Sequence, residues 1–513
     1  MSRILCVVLC ASCASVAKKE SRPAAGLAAK PAEDADSGVE ANGDWLLTKV
    51  DLKYAGAFKL PKGSRGKGKN CSFAYTPGTI AYDSDRNTFF VAGHRYLKGM
   101  AEISNPGLVD TTDLSKLPRA EYVQAFRQLL DHLPSGNPDK LGEFGGAYVE
   151  KGELLFTGYE FYDANCSVRD VFGILKGTGN LGAAPLVGYF ETGHGAHTAG
   201  WVSPIPSEHQ AALKGTHIIA SGQSQSIAGR YPLRPTAFSF NGADVFGNDD
   251  IKDPLKVTPL IDGNLKNELP KEMWDKSLDE AQYAIIVPGT KTYIAFGYRG
   301  GMFSKIGYKI TTDDGRKTGG YAAQDDDDHY VYYWMYNVDD MARAARGEAS
   351  PYKVCPYEHG ILPLPFLSPG GGGIGGGTWD PKTKTVYLTL PGRDRASRYT
   401  TLPVVVGVKF ERYAGKDAVA PYGAMTEPNN GKKISGAHPI EAHAVDNVDR
   451  ENDLKVQFTV DGKDYGAPAT KFPFRVSWDT TKFGNGKHQV SAVATDRSGN
   501  KRRINTVTVT VGN

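Results

Sequence analysis

The sequence predicts an all-β chain: a β-propeller of five to seven blades over residues 45–415, followed by a smaller β-sandwich over 418–513. Composition is the first observation behind this. The 513 residues include 60 Gly and 30 Pro beside 26 Tyr, 21 Phe and 6 Trp, a balance that favours turn-rich β structure and excludes a helical bundle or coiled coil. The second is a local pattern that recurs five times between residues 79 and 412. The third is a change of texture near 418–421, where a cysteine-free segment with its own alternating strands begins. The length allows two to four domains at roughly 150 residues each. The formal net charge of +3 lacks the strongly basic stripe of a nucleic-acid binder, so no nucleic-acid partner is expected.

The N-terminus directs the chain out of the cytoplasm. Met1-Ser2-Arg3, an apolar run over 4–11 and small residues up to Ala17 read as a secretory leader over 1–17. Two processing routes stay open: cleavage after Ser15-Val16-Ala17, or lipidation of Cys13, which follows Cys10-Ala11-Ser12. Lipidation is preferred, because 18–44 is then the disordered Ala/Pro/Glu/Lys tether an anchored domain needs. The expectation is a secreted or outer-membrane, cell-surface lipoprotein that meets the membrane only through that anchor. No later segment approaches the roughly 18 apolar residues of a spanning helix. Beyond the leader, Cys71, Cys166 and Cys355 allow one disulfide among three pairings and have no Cys-x-x-Cys spacing for zinc.

Each repeat runs from an apolar stretch through a turn to a β-branched or aromatic strand that ends in a small residue and Gly. The copies end at Ala92-Gly93-His94, Thr157-Gly158-Tyr159, Ser221-Gly222-Gln223, Phe296-Gly297-Tyr298 and, less regularly, Gly392-Arg393. The first four glycines are about 65–75 residues apart, a spacing that suits four-stranded blades with decorated loops. Outer strands follow at 101–103, 236–240 and 404–408. Two further blades could occupy 110–143 and 244–280. Residues 118–133, with Val123, Phe126, Leu129, Leu130 and Leu133 on one face, read as an inserted helix.

In the C-terminal segment, strands are expected at 440–445, 454–460, 474–478, 488–494 and 506–511. Pro428-Asn429-Asn430-Gly431, Ala444-Val445-Asp446, Val460-Asp461-Gly462, Trp478-Asp479-Thr480 and Ala494-Thr495-Asp496-Arg497-Ser498-Gly499-Asn500 strongly resemble bacterial immunoglobulin-like modules of secreted carbohydrate-active enzymes. The resemblance implies a spacer or adhesion element without chemistry of its own. Asp496 and Asn500 fit a tight turn with Gly499 at positive φ.

Loops after equivalent strand ends collect on one face of a propeller, so the residues behind each repeated Gly should converge. They are His94-Arg95-Tyr96, Tyr159-Glu160-Phe161-Tyr162, Gln223-Ser224-Gln225, Tyr298-Arg299 and Arg393-Asp394-Arg395. Two neighbouring stretches, Gly193-His194-Gly195-Ala196-His197 and Gly229-Arg230-Tyr231, add histidine, arginine and tyrosine. Breaking a uronate glycosidic bond by β-elimination needs a base for the C5 proton, an acid for the leaving oxygen and donors that stabilise the enolate at the carboxylate. The candidate bases are His94 or His197, the acids Tyr159 or Tyr231, and the neutralisers Arg230 and Arg299. Arg95, Tyr162, His194, Gln223, Tyr298 and Arg393 are the candidate substrate-binding residues. The basic loop 62–69 could attract an anionic polymer. Export, the repeats and this His/Tyr/Arg ring together resemble, at the level of architecture, the secreted propeller-type polysaccharide lyases such as those that cut ulvan. That implies an anionic, sulfated or unsulfated uronate polysaccharide as partner. Those enzymes tend to pair two histidines in an early blade, whereas the next histidine after His94 is His132.

Two other functions stay open at this stage. One is a non-catalytic propeller that binds a glycan or protein. The other is a glycoside hydrolase, which needs two facing carboxylates; Glu160, Asp163 and Asp394 are available. No cofactor is required. Structural calcium or zinc stays open: Asp325 to Asp328 before His329 could hold calcium, and the His194/His197 pair could ligate a metal. Asp83-Ser84-Asp85-Arg86-Asn87 reads as a hairpin turn. The Gly-rich run 370–377 leads into a strand, which argues against dinucleotide binding.

Overall fold

A computed structural model describes residues 44–163, 167–222, 232–264, 266–275, 279–304, 328–367, 373–397 and 400–513. The leader and all of the tether but Asp44 lie outside the described residues, as do Cys166, Gln223, Arg230, Tyr231 and Asp325 to Asp327.

Among the described residues, twenty strands form five four-stranded antiparallel sheets. The opening strand β1 (Leu52–Lys59) stands apart from the sheet that follows it in sequence. The first full sheet is β2 (Ile80–Asp83), β3 (Thr88–Ala92), β4 (Gly99–Ser104) and β5 (Tyr122–Gln128), and the second is β6 (Glu143–Glu150), β7 (Glu153–Tyr159), β8 (Asp170–Leu175) and β9 (Leu186–Glu191). The third comprises β10 (Val202–Pro204), β11 (His217–Ile219), β12 (Ala237–Phe240) and β13 (Thr258–Ile261). The fourth comprises β14 (Glu280–Ile286), β15 (Thr292–Gly300), β16 (His329–Asn337) and β17 (Glu358–Ile361). The last contains β18 (Gly376–Asp380), β19 (Thr385–Arg395) and β20 (Thr401–Phe410), and β1 completes it as the outer strand beside β20, with Leu52 opposite Phe410.

First strands touch first strands in the order β2, β6, β10, β14, β18 and back to β2. The approach is close enough to dictate residue type: a Cβ on Gly145 would lie 1.6 Å from the Ala199 carbonyl oxygen, so only glycine fits there. Between the sheets the strands bury nearly unbroken apolar runs, such as β3 with every residue buried, as expected where both faces are covered.

All five repeats fall on these sheets, and the described residues hold no sixth or seventh. The stretches expected to hide extra blades supply outer strands instead, β5 in one and β13 in the other. The expected helix over 118–133 is strand β5 followed by a turn. Its burial alternates between half-buried and exposed positions, the two-residue period of an edge strand. Val123 is 45% exposed while Leu129, Leu130 and Leu133 are buried after the strand ends. Pairing with β4 and the hold of Gln124 on Glu102 (2.5 Å) and on the Thr178 carbonyl (2.8 Å) override helical periodicity. The two α-helices among the described residues are short, α1 (Ser207–Leu213) and α2 (Val338–Ala345). The 83–87 segment is the expected hairpin turn, with Asp83 Oδ1 accepting from the Asp85 and Arg86 amides at 3.1 Å and Asn87 at φ 53°. No described helix is long and apolar enough to cross a membrane.

The C-terminal module has two sheets. One contains β21 (Tyr422–Glu427), β23 (Ala437–Val445) and β26 (Phe474–Asp479). The other contains β22 (Lys433–Ile434), β24 (Lys455–Val460), β25 (Lys463–Ala469), β27 (Gly486–Thr495), β28 (Lys501–Arg503) and β29 (Val507–Val511). Trp478, Phe458, Phe474 and Val490 are fully buried between them. The Asp496 turn is as expected: Asn500 N donates to Asp496 Oδ1 at 2.8 Å and Gly499 has φ 86°.

The module packs on the five-sheet body through aromatic rings. His443 stacks on Phe472 (5.2 Å) and tilts against Tyr330 of β16 (5.1 Å), with Glu441 Oε1 3.7 Å away. Burial pushes the His443 imidazole down to about 3, so folding holds it neutral. Between that value and the ordinary 6.5 the unfolded chain binds a proton that the folded chain refuses, so stability is full above pH 6.5 and declines as pH falls through that window. The expected result is a Tm that drops between pH 7 and pH 4.5. The drop is smaller in His443→Leu, and differential scanning calorimetry at the two pH values reads the difference.

Candidate functional site

An antiparallel pair sets the start of one strand beside the end of the next, and this places the site. In the second sheet Glu143 lies opposite Tyr159, and in the fourth Glu280 lies opposite Tyr298. Each pair sits beside a register shift near the start of the first strand. The repeated glycines permit it: Gly297 packs against the Glu280 carbonyl, where a Cβ would come to 1.8 Å, and Gly158 is the equivalent residue beside Glu143. Two Glu–Tyr pairs therefore face a cavity of about 890 Å³ at the end of the body where the first strands begin. Tyr75, His94, Arg95 and Tyr96 line it from the first sheet, and Ile374 and Gly392 from the last.

The cavity's chemistry follows from burial and partners. His94 precedes a tight turn over Arg95–Leu97, and its Nδ1 accepts from the Tyr96 amide at 3.2 Å. Its neutral ring therefore carries the hydrogen on Nε2 and offers a donor. Burial lowers its pKa, which keeps it neutral at pH 7. Its ring lies between Tyr75 (5.6 Å) and Tyr96 (5.4 Å). Arg95 Nε is 2.5 Å from Glu143 Oε1. Even so, desolvation holds the Glu143 carboxyl above its usual range. Burial pushes Glu280 up to about 7, against the hydrogen bonds of Tyr298 and Gln282 that lower it; Gln282 Nε2 donates to Glu280 Oε2 at 3.0 Å. A carboxyl poised there takes or gives a proton near neutrality. Tyr96 is 77% exposed at the rim.

Of the residues singled out in the sequence, the structure brings His94, Arg95, Tyr159 and Tyr298 to this cavity. Tyr162 is exposed three residues beyond Tyr159. Arg299 does not join them: it is buried, donates to the Glu272 carbonyl at 2.6 Å and to the Lys271 carbonyl, and lies over the Tyr332 ring. The reason is strand alternation, which turns Arg299 away from the side its neighbour Tyr298 occupies. His197 is taken up by Asp262, Nδ1 to Oδ1 2.6 Å, and His194 packs on Phe238 at 4.6 Å; neither lines the cavity. Arg393 lines a much smaller space beside His329 and His443, where burial lowers its guanidinium to about 10. Gln223, Arg230 and Tyr231 lie outside the described residues.

The carboxylates considered in the sequence have local duties. Asp394 pairs with Arg119 at 2.7 Å, Asp163 accepts from the Ser167 amide at 2.9 Å, and Glu160 accepts from the Tyr162 amide at 3.2 Å. Asp328 caps the Phe303 and Ser304 amides. Glu143 and Glu280 are the acids the sequence reading missed. A signal existed: each opens the first strand of its sheet and precedes the Gly-Tyr end of the second.

Residues 421–492 match the family of bacterial Ig domains. The chain is also similar, over 17% of its length, to the fibronectin(III)-like modules of Clostridium thermocellum CbhA, at 20% identity over 92% of that chain and with a TM-score of 0.13. Over 89% of its length the chain aligns with the extracellular domain of a putative hybrid two-component system from B. thetaiotaomicron, at 8% identity and a TM-score of 0.27. A second such domain from the same organism aligns at 10% identity, also over 89% of the chain, with a TM-score of 0.25. The chain spans 46% and 57% of those two neighbours' lengths. No curated protein matches it.

Proposed function

We propose that the protein is an exported, lipid-anchored β-propeller enzyme that cleaves an anionic, uronate-containing polysaccharide by β-elimination in the 890 Å³ cavity. The cyclic contact of the five first strands and the completion of the last sheet by β1 support reading the sheets as five blades. The observation that carries the functional reading is the convergence of His94, Arg95, Tyr159, Tyr298, Glu143 and Glu280 on one open cavity.

In this reading the uronate carboxylate lies against His94 Nε2–H and the Arg95 guanidinium. These donors stabilise the charge that spreads onto the carboxylate as the C5–H bond breaks. Glu280 accepts the C5 proton, a double bond forms between C4 and C5, and the C4–O bond breaks. Tyr159 gives its phenolic proton to the departing oxygen. The role suggested for His94 thus shifts from base to donor, because its Nδ1 lone pair is already engaged. The exposed Tyr96 ring offers a stacking surface for a sugar.

Glycoside hydrolysis is a second reading, favoured by the presence of two carboxyls, Glu143 and Glu280, raised by burial in the same cavity. One assay separates the two. The protein is incubated with ulvan, alginate, pectin and glycosaminoglycans while ultraviolet absorbance of unsaturated uronate and reducing ends are followed together. Both signals should rise on at least one polymer. Reducing ends without absorbance would establish hydrolysis, and silence in both channels would leave a binding propeller.

A further inference from the structure

Outside the cavity, the chain brings three carboxylates together where the linker leaves the last sheet. Asp417 lies between β20 and β21, and Asp446 and Asp449 lie in the loop after β23. One oxygen from each falls within 4.8 Å of the others. Asp446 is 1% exposed. Its Oδ1 accepts from the Val448 and Asp449 amides, both at 2.9 Å, whereas its Oδ2 is buried without a hydrogen-bond partner among the described residues. A buried carboxylate oxygen left unmatched is costly, and two further acids beside it add repulsion.

Lys49 does not hydrogen-bond these carboxylates. The Lys49 ammonium donates to the Asp449 backbone carbonyl at 2.8 Å and stands 3.9 Å from Glu451. Asp449 Oδ2 accepts from the Arg497 backbone amide at 2.7 Å.

We propose that Asp417, Asp446 and Asp449 form a calcium site that ties the linker to the Ig domain loop after β23. Oxygen-only ligands with several carboxylates suit a hard cation, and loop-borne ligands with flexible spacing favour Ca²⁺ over the stricter octahedron of Mg²⁺. The site stands apart from the cavity residues and does not depend on the function assigned to them. Its consequence is mechanical: the 411–421 linker is stiffened against the Ig domain.

The test uses the full chain, stripped with chelator and dialysed, and titrated with CaCl₂ by isothermal calorimetry. One equivalent should bind, the Tm should rise by several degrees, and trypsin cleavage within 411–421 should slow at least fivefold. Asp446→Asn, which keeps an oxygen for the two amides, should abolish the heat and the protection. Asp417→Asn, in the linker and outside any strand, should weaken both and guards against misfolding of the first variant. No heat and no protection with the wild-type chain would overturn the site, as would unchanged binding in both variants. An equal response to MgCl₂ would overturn its assignment to calcium.

Discussion

Tyr159→Phe should lower turnover on a uronate polymer by about 10²–10⁴-fold, the usual worth of a positioned proton donor, with the Tm unchanged. The substitution removes one hydroxyl and leaves the ring and its place opposite Glu143 in the β6–β7 ladder. Glu280→Gln should act differently. The wild-type rate should climb with pH through about 7, where Glu280 ionises, because the proton acceptor must be a carboxylate. In Glu280→Gln the residual rate should lack that rising limb. Steady-state kinetics from pH 5 to 9 read both effects. A Tyr159→Phe enzyme with wild-type kcat, or a pH profile that survives Glu280→Gln, would remove these residues from the chemistry.

Arg299→Ala should cost roughly 3–5 kcal/mol, since it leaves two buried carbonyls without their donor at about 1–3 kcal/mol each and opens a cavity under the Tyr332 ring. The guanidinium satisfies the Glu272 carbonyl and the Lys271 carbonyl, lies 5.4 Å over the Tyr332 ring and sits 3.7 Å from Asp279. Asp279 is fully buried, and its carboxyl is pushed up to about 8 by desolvation that Arg299 partly offsets. Without the cation, its proton would be held more tightly still. Denaturant unfolding should show a lower midpoint, and any fall in activity should track the unfolded fraction. A variant of wild-type stability with no turnover would return Arg299 to the catalytic set.

The strands of the five sheets were legible where side-chain period and glycine punctuation act together. Phe89-Phe90-Val91-Ala92-Gly93 reads as strand and turn in any context, and so do its four counterparts. Residues 118–133 were misread because Leu129, Leu130 and Leu133 supply a helix-like stripe. Only the partner strand β4 and the side-chain anchors of Gln124 show that 122–128 is extended. The site was half legible. The loops behind the repeated glycines pointed to His94, Arg95, Tyr159 and Tyr298. Glu143 and Glu280 went unseen because their place opposite those tyrosines depends on cross-strand register, set by bulges near Gly146 and Ala281 that short-range pattern does not reveal. Arg299 was included for the converse reason. Adjacency to Tyr298 in sequence means opposite faces in a strand.

The pairing of β1 with β20 has a bearing on how the chain is made. Lys53 and Glu411 meet at 2.8 Å across a sequence separation of 358 residues, so β1 waits, unpaired, until nearly the whole five-sheet body has been synthesised. During that delay it is an orphan edge with an apolar centre, Tyr54-Ala55-Gly56-Ala57-Phe58, open to illegitimate pairing with another nascent chain. Lysines at 53 and 59 flank that centre, charged guards against such aggregation. In the finished protein one binds Glu411 and the other donates to the Leu114 carbonyl at 2.8 Å. The charges that shield the growing chain thus become the fasteners of the completed one.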